Sequence, residues 1–249
     1  MSLPFFFIQA RSTSTRLPGK TLMPLWQEKT ILQLQIERIL LNFPNYPVAL
    51  LTTDNPADDQ LIESIRVYPV NVFRGSEQDV LDRFLKAGDL FGATEIIRVC
   101  SDNPFLLWES LQELLVHDCN GIDYLSFSFR GKPVMKCHFG LFAERVKLDA
   151  LKTAAALTRD PVYREHVTNY IYERPDRFSV CLVDKTAALA ELENFRLTVD
   201  TAADFENVSV LLRQMPDPLS PRLKDIIKIK KQFPALETSM QNEIKNNSK

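Results

Sequence analysis

Residues 5–20 read Phe5-Phe6-Phe7-Ile8-Gln9-Ala10-Arg11-Ser12-Thr13-Ser14-Thr15-Arg16-Leu17-Pro18-Gly19-Lys20. The apolar run at the start of this stretch is typical of a buried strand, and the polar run that follows predicts a loop. The loop carries three cations, Arg11, Arg16 and Lys20, and the chain has no acid before Glu28. In an open α/β sheet, ligands bind at the carboxyl ends of the strands, so this loop is a candidate binding site.

The three cations favour a ligand that carries several negative charges. Guanidinium groups match phosphate oxygens in pairs and a lysine supplies a compact point charge, so a polyphosphate fits the loop. A solvated basic surface loop is the alternative, which the adjoining hydrophobic strand disfavours. The glycine spacing of a Walker A loop is missing, and so is the Gly-x-Gly-x-x-Gly of dinucleotide-binding folds. The sequence therefore predicts a phosphate site outside the P-loop class.

Composition limits the class of protein and its partners. The chain has 249 residues, 45% of them hydrophobic and 25% charged, as expected for one α/β domain. A net charge of −2 gives no general attraction to nucleic acid or to an anionic membrane surface. The four cysteines and three histidines show no metal-ligand spacing, which favours reduced thiols. The segment before the first strand is too short for a signal peptide or a membrane span, so we expect a cytoplasmic protein.

Apolar runs of strand length alternate with amphipathic stretches along the chain. We predict strands at residues Phe5–Gln9, 48–52, 70–73, 95–99, 123–126, 179–183 and 195–199. We predict helices at residues 30–41, 57–65, 77–91, 106–117, 143–157, 162–173 and 202–215, the last capped by Thr201. This alternation is typical of an α/β fold with a mostly parallel, doubly wound sheet flanked by helices.

The pattern also predicts how the chain is organised. Residues 1–215 form one α/β domain, and residues 127–145 within it change to short, mixed segments. We expect those segments to leave the central sheet and to serve in dimerisation or in covering a substrate. Residues 216–249 are basic and then polar, which predicts a helical tail with a frayed end. A binding arm is the alternative for this tail.

Five blocks along the chain carry a resemblance to a known family. They are Ala10-Arg11-x-x-Ser14-x-Arg16-Leu17-Pro18-Gly19-Lys20, Phe73-Arg74-Gly75-Ser76-Glu77-Gln78-Asp79-Val80-Leu81-Asp82-Arg83-Phe84, Arg98-Val99-Cys100-Ser101-Asp102-Asn103-Pro104, Arg164-Glu165-His166-Val167-Thr168 and Phe195-Arg196-Leu197-Thr198-Val199-Asp200-Thr201. They resemble the sugar cytidylyltransferases, in particular the spore-coat polysaccharide biosynthesis protein F family, which is related to the CMP-KDO and CMP-sialate synthetases. Five blocks in the right order are far more specific than any one of them.

The resemblance implies a fold, an activity and partners. The implied fold is nucleotide-diphospho-sugar transferase-like, of GT-A type, with residues 1–215 as the nucleotidyltransferase domain. The implied activity is transfer of CMP from CTP to a sugar or sugar acid, with pyrophosphate release, in surface polysaccharide or glycoconjugate biosynthesis. Mg²⁺ as cofactor and a homodimer are implied as well. A nucleotide-sugar-dependent glycosyltransferase is one alternative, although Asp102-Asn103-Pro104 lacks the Asp-x-Asp common in such enzymes. A catalytically silent nucleotide-binding partner is another.

Two acids follow predicted strands and form the candidate metal site. Asp102 comes shortly after residues 95–99, and Asp200 comes directly after residues 195–199. Magnesium takes hard oxygen ligands, often one or two carboxylates with water and phosphates, so the two acids suit one ion. A helix N-cap or turn is the alternative for each. In the related synthetases these positions hold the catalytic metal, and the resemblance implies the same role here, with Arg11 and Lys20 completing the catalytic set.

The loop and the blocks together predict the substrate contacts. The nucleotide-binding candidates are Ala10, Arg11, Ser14, Arg16, Lys20, Arg74, Gly75, Ser76 and Asp102. Ser14 could donate a hydrogen bond to phosphate, and residues 74–76 are expected to line the base or ribose pocket. Ser76 serves equally well as a helix N-cap.

The acceptor candidates come from the resemblance alone. It implies that Arg164 and His166 lie near the acceptor sugar, with a structural or merely exposed histidine as the alternative. Asp79 and Arg83 have helical spacing, and we predict a surface ion pair of little energetic value. The identity of the acceptor sugar and the preference for cytosine stay open at this stage.

Overall fold

Hydrophobic strands form the centre of the molecule. The structure, a computed structural model, describes residues 3–246. The strands are β1 (Phe5–Gln9), β2 (Pro24–Trp26), β3 (Lys29–Thr30), β4 (Val48–Thr53), β5 (Asn71–Gly75), β6 (Glu95–Cys100), β7 (Tyr124–Phe129), β8 (Lys132–Pro133), β9 (Glu144–Lys147) and β10 (Val180–Asp184). The helices are α1 (Ile31–Asn42), α2 (Asp59–Ser64), α3 (Val80–Phe91), α4 (Trp108–Val116), α5 (Leu148–Leu157), α6 (Pro161–Glu165), α7 (Asn169–Tyr172), α8 (Thr186–Leu189), α9 (Ala202–Arg213), α10 (Leu223–Gln232) and α11 (Pro234–Asn246).

The central sheet is mixed but mostly parallel. Its strand order is β10-β7-β9-β6-β1-β4-β5, with β8 paired to β7. β1 pairs in parallel with both β4 and β6, and β9 lies antiparallel between β6 and β7. The chain passes from β1 to one side through β4 and β5 and then returns to the other side at β6. The carboxyl ends of β1 and β6 therefore form a topological switch point, where ligands bind in sheets of this kind.

The first strand is buried on both faces, which explains its continuous apolar run. Phe6 and Ile8 pack into the core on one face of the sheet, whereas Phe5 and Phe7 pack into the core on the other. The ring of Phe7 meets Phe84 of α3 edge-on, with a centroid distance of 5.8 Å. Helices on both faces confirm the predicted fold class.

Polar caps fix where the helices begin. Thr201 and Asp204 form a capping box at the start of α9, so the predicted cap is confirmed. The helix expected from residue 77 begins three residues later, because the carboxylate of Asp79 caps α3 by accepting from the backbone N–H of Asp82. The hydroxyl of Ser76 accepts from the N–H of Asp79 one step earlier in the chain, at 2.9 Å.

Two predicted helices differ from the structure. Residues 144–147 of the predicted helix 143–157 are strand β9, where buried Glu144 and Val146 alternate with half-buried neighbours. This period of two fits a strand, and only α5 is helical. The predicted helix 162–173 is divided into α6 and α7, because the buried hydroxyl of Thr168 between them donates to Glu144 at 2.7 Å. Such a bond to a charged acceptor contributes about 1.5–3 kcal/mol.

The strand predicted at residues 195–199 is wrong. This segment is irregular, and its backbone bridges two other loops. The N–H of Leu197 donates to the carbonyl of His138, and the N–H of Val199 donates to the carbonyl of Asp102, each at 2.9 Å. The apolar side chains of the segment are still buried. Its composition is therefore typical of a strand, although its backbone hydrogen bonds go to loops.

The excursion predicted at residues 127–145 is shorter than expected. β7 continues to Phe129, and β9 returns the chain to the middle of the sheet at Glu144. Between them lie the short strand β8, a 3₁₀ turn at Val134–Lys136 and an irregular segment that crosses the carboxyl end of the sheet. A role in dimerisation or in covering a substrate stays a prediction.

The carboxyl-terminal helices pack on the body of the fold. α10 and α11 contact α9, and Ile226, Ile229 and Met240 belong to the core cluster that also holds Phe6 and Ile8. The frayed end predicted for the tail falls partly on residues 247–249, outside the described residues, and the division at residue 215 stays a prediction. None of the helices within residues 3–246 has the length and apolar character needed to cross a bilayer.

Replacing Met240 tests whether α11 contributes to folding stability. Met240 is 0% exposed, so Met240→Ala leaves a cavity and should lower the free energy of unfolding by about 2–5 kcal/mol. Asn242→Ala, at an exposed position of the same helix, should stay within about 0.5 kcal/mol of the parent protein. Urea denaturation measures both, and equal stabilities for the two variants would contradict the packing of α11.

Candidate active site

A cavity of about 720 Å³ opens at the carboxyl ends of β1 and β6. Eight of the predicted site residues line it, namely Ala10, Arg11, Ser14, Arg16, Lys20, Asp102, His166 and Asp200. Four predicted site residues are not among its lining residues, namely Arg74, Gly75, Ser76 and Arg164. The structure thus brings the cationic loop and the two acids into one space.

A backbone hydrogen bond holds the two acids side by side. Asp102 follows β6, and its carbonyl accepts from the N–H of Val199 at 2.9 Å. Asp200 is the next residue along the chain, so both carboxylates start from adjoining backbone segments and line the same cavity. The sequence placed Asp200 after a strand; instead, Asp200 follows an irregular segment that this hydrogen bond joins to the end of β6.

Three cations surround the carboxylate of Asp200. Its Oδ1 lies 2.9 Å from Arg16 and 3.4 Å from Lys20, and its Oδ2 lies 2.8 Å from Arg196. Lys20 also donates to the carbonyl of Val199 at 2.7 Å. The cationic loop after β1 is therefore tied to the Asp200 segment by direct ion pairs. Because the Asp200 side chain is only 6% exposed, water screens these pairs far less than surface ones.

Arg196 is a positioning residue that the sequence reasoning missed. Its side chain is 0% exposed, and its guanidinium pairs with Asp200 and, at 2.8 Å, with Asp204. A third nitrogen contacts the ring nitrogen Nδ1 of His138. The second oxygen of Asp204 accepts from the backbone N–H of Asp200 at 2.9 Å. The spacing of four residues between Arg196, Asp200 and Asp204 was the available signal.

Asp58 anchors the cationic loop to the sheet. It is fully buried and accepts from the N–H of Ser12 at 2.7 Å, from the Ser12 hydroxyl at 2.6 Å and from the Thr52 hydroxyl at 2.8 Å. Thr53 donates to it through its N–H and its hydroxyl. Burial by itself raises the pKa of Asp58, but the hydrogen bonds from Ser12, Thr53 and Thr52 lower it to about 2. The carboxylate of Asp58 therefore keeps the cationic loop ordered at the carboxyl end of β1.

Arg11 lies among acids and keeps much of its surface open. Its guanidinium is 3.7 Å from Glu77 and 4.0 Å from Glu165, and the side chain is 40% exposed. Hydrogen bonds from Thr13 and Asn55 lower the pKa of Glu77, and the charge of Arg11 lowers it further. The contacts at these distances are loose, so Arg11 is available to an anionic ligand in the cavity.

The block of residues 74–76 does not line the cavity. The guanidinium of Arg74 donates to the carbonyls of Thr53 and Asn55 and pairs with Asp59 at 2.6 Å. Ser76 is engaged in the turn before α3. Its predicted alternative role at the start of that helix is the one that its hydrogen bond supports. A direct role of this block in nucleotide binding stays a prediction.

The predicted surface pair between Asp79 and Arg83 is wrong. Arg83 faces the sheet, is 2% exposed and lines the cavity, where its Nη1 donates to the carbonyl of Ser76 at 3.1 Å. Asp79 pairs with Arg164 of α6 instead, whose Nε donates at 2.8 Å. Asp79 is the N-cap of α3 and has non-helical backbone angles, so the four-residue spacing does not bring its carboxylate to Arg83. Arg164 is thereby occupied outside the cavity, whereas His166 of the same block lines it.

A buried polar network lies beneath the cavity. Glu144 is 0% exposed and accepts from Arg98 of β6, from the hydroxyl of Tyr124 and from Thr168. Arg98 also donates to the side chain of Gln9 at 3.1 Å, and both residues line the cavity. Burial and the charge of Glu144 raise the pKa of Tyr124 well above its ordinary value. This network connects the central strands to the segment that carries His166.

The comparisons with known proteins agree with this geometry. The family described as Cytidylyltransferase matches residues 5–240. The chain belongs to the cytidylyltransferase family. It is accordingly a nucleotidyltransferase, and the resemblance carried by the five sequence blocks is confirmed.

Three similar proteins are informative about this cytidylyltransferase. The spore coat polysaccharide biosynthesis protein SpsF of Bacillus subtilis is 32% identical over 215 residues, which covers 84% of this chain and 86% of SpsF. A cytidylyltransferase from Leptospira borgpetersenii has a TM-score of 0.81 at 27% identity, covering 94% of this chain and 97% of that one. The structure of CMP:2-keto-3-deoxy-manno-octonic acid synthetase complexed with CTP has a TM-score of 0.64 at 17% identity and covers 86% and 99% of the two chains. At 17% identity, the similarity to the synthetase shows a shared fold.

The donor set of this cytidylyltransferase fits a magnesium ion shared with a substrate. Residues 3–246 contain no cluster of three or more His, Cys, Asp or Glu side chains that could hold a metal by itself. Asp102 and Asp200 nevertheless present carboxylates to one cavity from segments joined by a hydrogen bond. Magnesium is commonly held by one or two carboxylates, with water and substrate phosphates completing its octahedron. The chain supplies that number of hard oxygen donors.

Removing the charge of Asp58 should loosen the loop and lower stability in a pH-dependent way. Its pKa falls from 3.8 to about 2 on folding, which corresponds to about 2 kcal/mol at pH 7. Because the folded pKa is the lower one, this contribution is complete above about pH 5 and is lost as the pH falls towards 2. Asp58→Asn should therefore be less stable by about 2 kcal/mol at pH 7, and the gap should narrow between pH 5 and pH 3. Urea titrations across this range measure it, and a constant gap would contradict the role of the charge.

Replacing Gly140 should displace the segment that carries Asp200. Gly140 has a φ of +60°, and a Cβ there would lie 2.7 Å from the carbonyl oxygen of Leu197 and 2.9 Å from the N–H nitrogen of Thr198. Gly131 has a φ of +75° with no atom within 4 Å of such a Cβ. Gly131→Ala should cost about 1–2 kcal/mol from the backbone alone, and Gly140→Ala about 1–3 kcal/mol more. Chemical denaturation compares them, and equal losses would show that the Leu197 segment yields freely.

Proposed function

We propose that this protein is a sugar cytidylyltransferase that transfers CMP from CTP to a hydroxyl of a sugar or sugar acid and releases pyrophosphate. The observation that carries the proposal is the single cavity that joins the Arg11–Lys20 loop to Asp102 and Asp200. A polyanion and a hard divalent cation are the ligands that this pair of features suits. The relatives add support, since one is named for polysaccharide biosynthesis and another is a synthetase complexed with CTP.

The cationic loop is proposed to hold the triphosphate. Arg11, Arg16 and Lys20 line the cavity and neutralise phosphate charge, and the hydroxyl of Ser14 donates to a phosphate oxygen. Transfer of a nucleotidyl group requires little covalent work from the protein, so positioning and charge neutralisation account for the rate. Lys20 lines the cavity 3.4 Å from Asp200, where it can stabilise the departing pyrophosphate.

Asp102 and Asp200 are the residues that would hold the Mg²⁺ ion. When bound, the ion supplies polarisation of the phosphoryl group and a lowered pKa for the attacking hydroxyl. Arg196 keeps the carboxylate of Asp200 oriented through its ion pair at 2.8 Å. Asp204 holds the same residue by its backbone, so Asp200 is fixed before any ligand arrives.

His166 is the proposed contact to the acceptor sugar. It lines the cavity together with Glu165 and Asn169, at the edge formed by α6 and α7. An imidazole can donate to or accept from a sugar hydroxyl. Arg164 is proposed to act through the position of α6, since its guanidinium is bound to Asp79.

The function is tested by products and by a charge deletion. Incubation of the protein with CTP, Mg²⁺ and a panel of sugars and sugar acids should release pyrophosphate and form a CMP-sugar detectable by mass spectrometry. Lys20→Met removes a charge-assisted contact worth about 1.5–3 kcal/mol and should weaken CTP binding about 10- to 100-fold in calorimetry. Arg66→Gln, at an exposed cation outside the cavity, is the matched control and should bind CTP like the parent.

Other outcomes would identify the rival functions. Release of a nucleoside diphosphate from a nucleotide sugar would indicate a glycosyltransferase. CTP binding without any product across the panel, with cellular polysaccharide unchanged by Asp200→Ala but lost on removal of the whole chain, would indicate a catalytically silent partner. Failure to bind CTP would overturn the cytidylyl assignment. The homodimer and the cytoplasmic location stay predictions.

A further inference from the structure

Helix α1 supports the turn that carries Asp102, although Gln35, the residue that makes the contact, does not line the cavity. The turn spans residues 100–103, and the N–H of Asn103 donates to the carbonyl of Cys100 at 3.3 Å. Nε2 of Gln35 donates to the carbonyls of Cys100 and Asn103, each at 2.9 Å. One buried amide therefore bridges the first and the last residue of the turn that contains Asp102.

The turn requires the amide group of Gln35 and not merely its volume. Both groups that the amide meets are acceptors, which fixes its NH2 group towards the turn. The other atom of the amide, Oε1, is buried and has no hydrogen-bond partner within residues 3–246. Leaving a buried polar atom unpaired is destabilising. An apolar side chain of the same size would avoid that penalty, so the two bonds to the turn are what distinguishes a glutamine here.

Arg38 holds the next residue of the same segment. It lies three positions after Gln35 and therefore on the same face of α1. Its Nη1 donates to the carbonyl of Pro104, which follows the turn directly. Its Nε and Nη2 donate to the carbonyl of Pro218, at 2.9 and 2.6 Å. Helix α1 thus contacts the Asp102 segment at three backbone carbonyls, and both of its side chains are buried.

The backbone around Asp102 is fixed while its side chain lines the cavity. The carbonyl of Asp102 accepts from the N–H of Val199, and the carbonyls of the residues that bracket it accept from Gln35. A carboxylate that binds a metal depends on such outer contacts, since they orient the ligand and their loss commonly weakens metal binding. The arrangement suits a carboxylate that must be in place before the ion and the substrate arrive.

We propose that Gln35 is a positioning residue that holds the carboxylate of Asp102 in the orientation needed to bind Mg²⁺. Gln35 acts through the backbone of residues 100–103, because it does not reach the cavity itself. The inference rests on the proposed function, which gives Asp102 and the ion their roles. Loss of the amide should weaken the metal-dependent part of CTP binding. The contribution of the cationic loop should persist, because Asp58 anchors that loop independently.

The test measures CTP affinity by calorimetry in excess Mg²⁺ and in excess EDTA, without an acceptor sugar. The ratio of the two affinities reports the contribution of the metal. Gln35→Met keeps the volume but removes both bonds to the turn. It should lower the ratio about 10- to 100-fold, towards the value for Asp102→Asn, and leave the affinity in EDTA unchanged.

Gln33→Met is the matched control. Gln33 lies on the same helix, and its Nε2 also donates to a backbone carbonyl at 2.9 Å, but that carbonyl belongs to Ser64, which does not line the cavity. The ratio for this variant should equal that of the parent protein. Calorimetric affinity is measured on the folded molecules, so partial unfolding of either variant changes the apparent stoichiometry and not the ratio.

Two further variants separate positioning from a general structural role. In the Asp102→Asn background, Gln35→Met should lower the ratio no further, because Gln35 acts through Asp102. Gln35→Glu keeps the shape and, with its buried carboxyl group neutral, offers one donor in place of two. Its ratio should lie between those of Gln35→Met and the parent protein.

Each contrary result has a distinct meaning. An unchanged ratio in Gln35→Met, an equal loss in Gln33→Met, no recovery in Gln35→Glu or a further loss in the double variant would overturn the inference and leave the proposed function standing. A parent protein that binds CTP equally in Mg²⁺ and in EDTA would overturn the metal role of Asp102 and this inference with it, but not the binding of CTP. A parent protein that binds no CTP would overturn the proposed function itself.

Discussion

The buried carboxylate of Asp200 is the interaction on which the rest of the site depends. Lys20 and Asp200 are separated by 180 positions in the sequence, yet Lys20, Arg16 and Arg196 all reach this one group. Removing a carboxylate from water costs several kcal/mol unless cations and hydrogen bonds compensate. The chain meets that requirement by ion pairs between the loop after β1 and the segment before α9, both of which line the cavity.

Two other buried carboxylates hold the surroundings in the same manner. Asp58 accepts hydrogen bonds from hydroxyl and backbone N–H groups of the loop after β1 and of the end of β4. Glu144 accepts hydrogen bonds from Arg98, Tyr124 and Thr168 beneath the cavity. Each acid connects elements that are distant in sequence, and each is satisfied by several donors. The site is therefore rigid where it is polar, which suits an enzyme whose contribution is positioning.

The sequence predicted most of the fold because the strands are strongly apolar and the helix caps are distinct. The prediction failed at residues 195–199 because a run of apolar residues was taken to indicate a strand. The backbone N–H groups of this segment instead donate to the carbonyls of His138 and Asp102, which lie in loops. The prediction failed at Asp79 and Arg83 because helical spacing does not reveal which face of α3 packs against the sheet. Arg196 was overlooked because its four-residue spacing to Asp200 begins inside a segment that was predicted to be a strand.

The sequence alone determined the alternation of strands and helices, the cationic loop after the first strand and the family to which the chain belongs. These follow from local periodicity and from ordered motifs, which need no knowledge of distant contacts. Tertiary structure alone decided that Asp200 shares a cavity with Asp102 and pairs with Lys20, that Arg164 is bound to Asp79, and that Arg83 lines the cavity. Those outcomes depend on which buried charges find partners across the fold, and local sequence does not encode the distances involved.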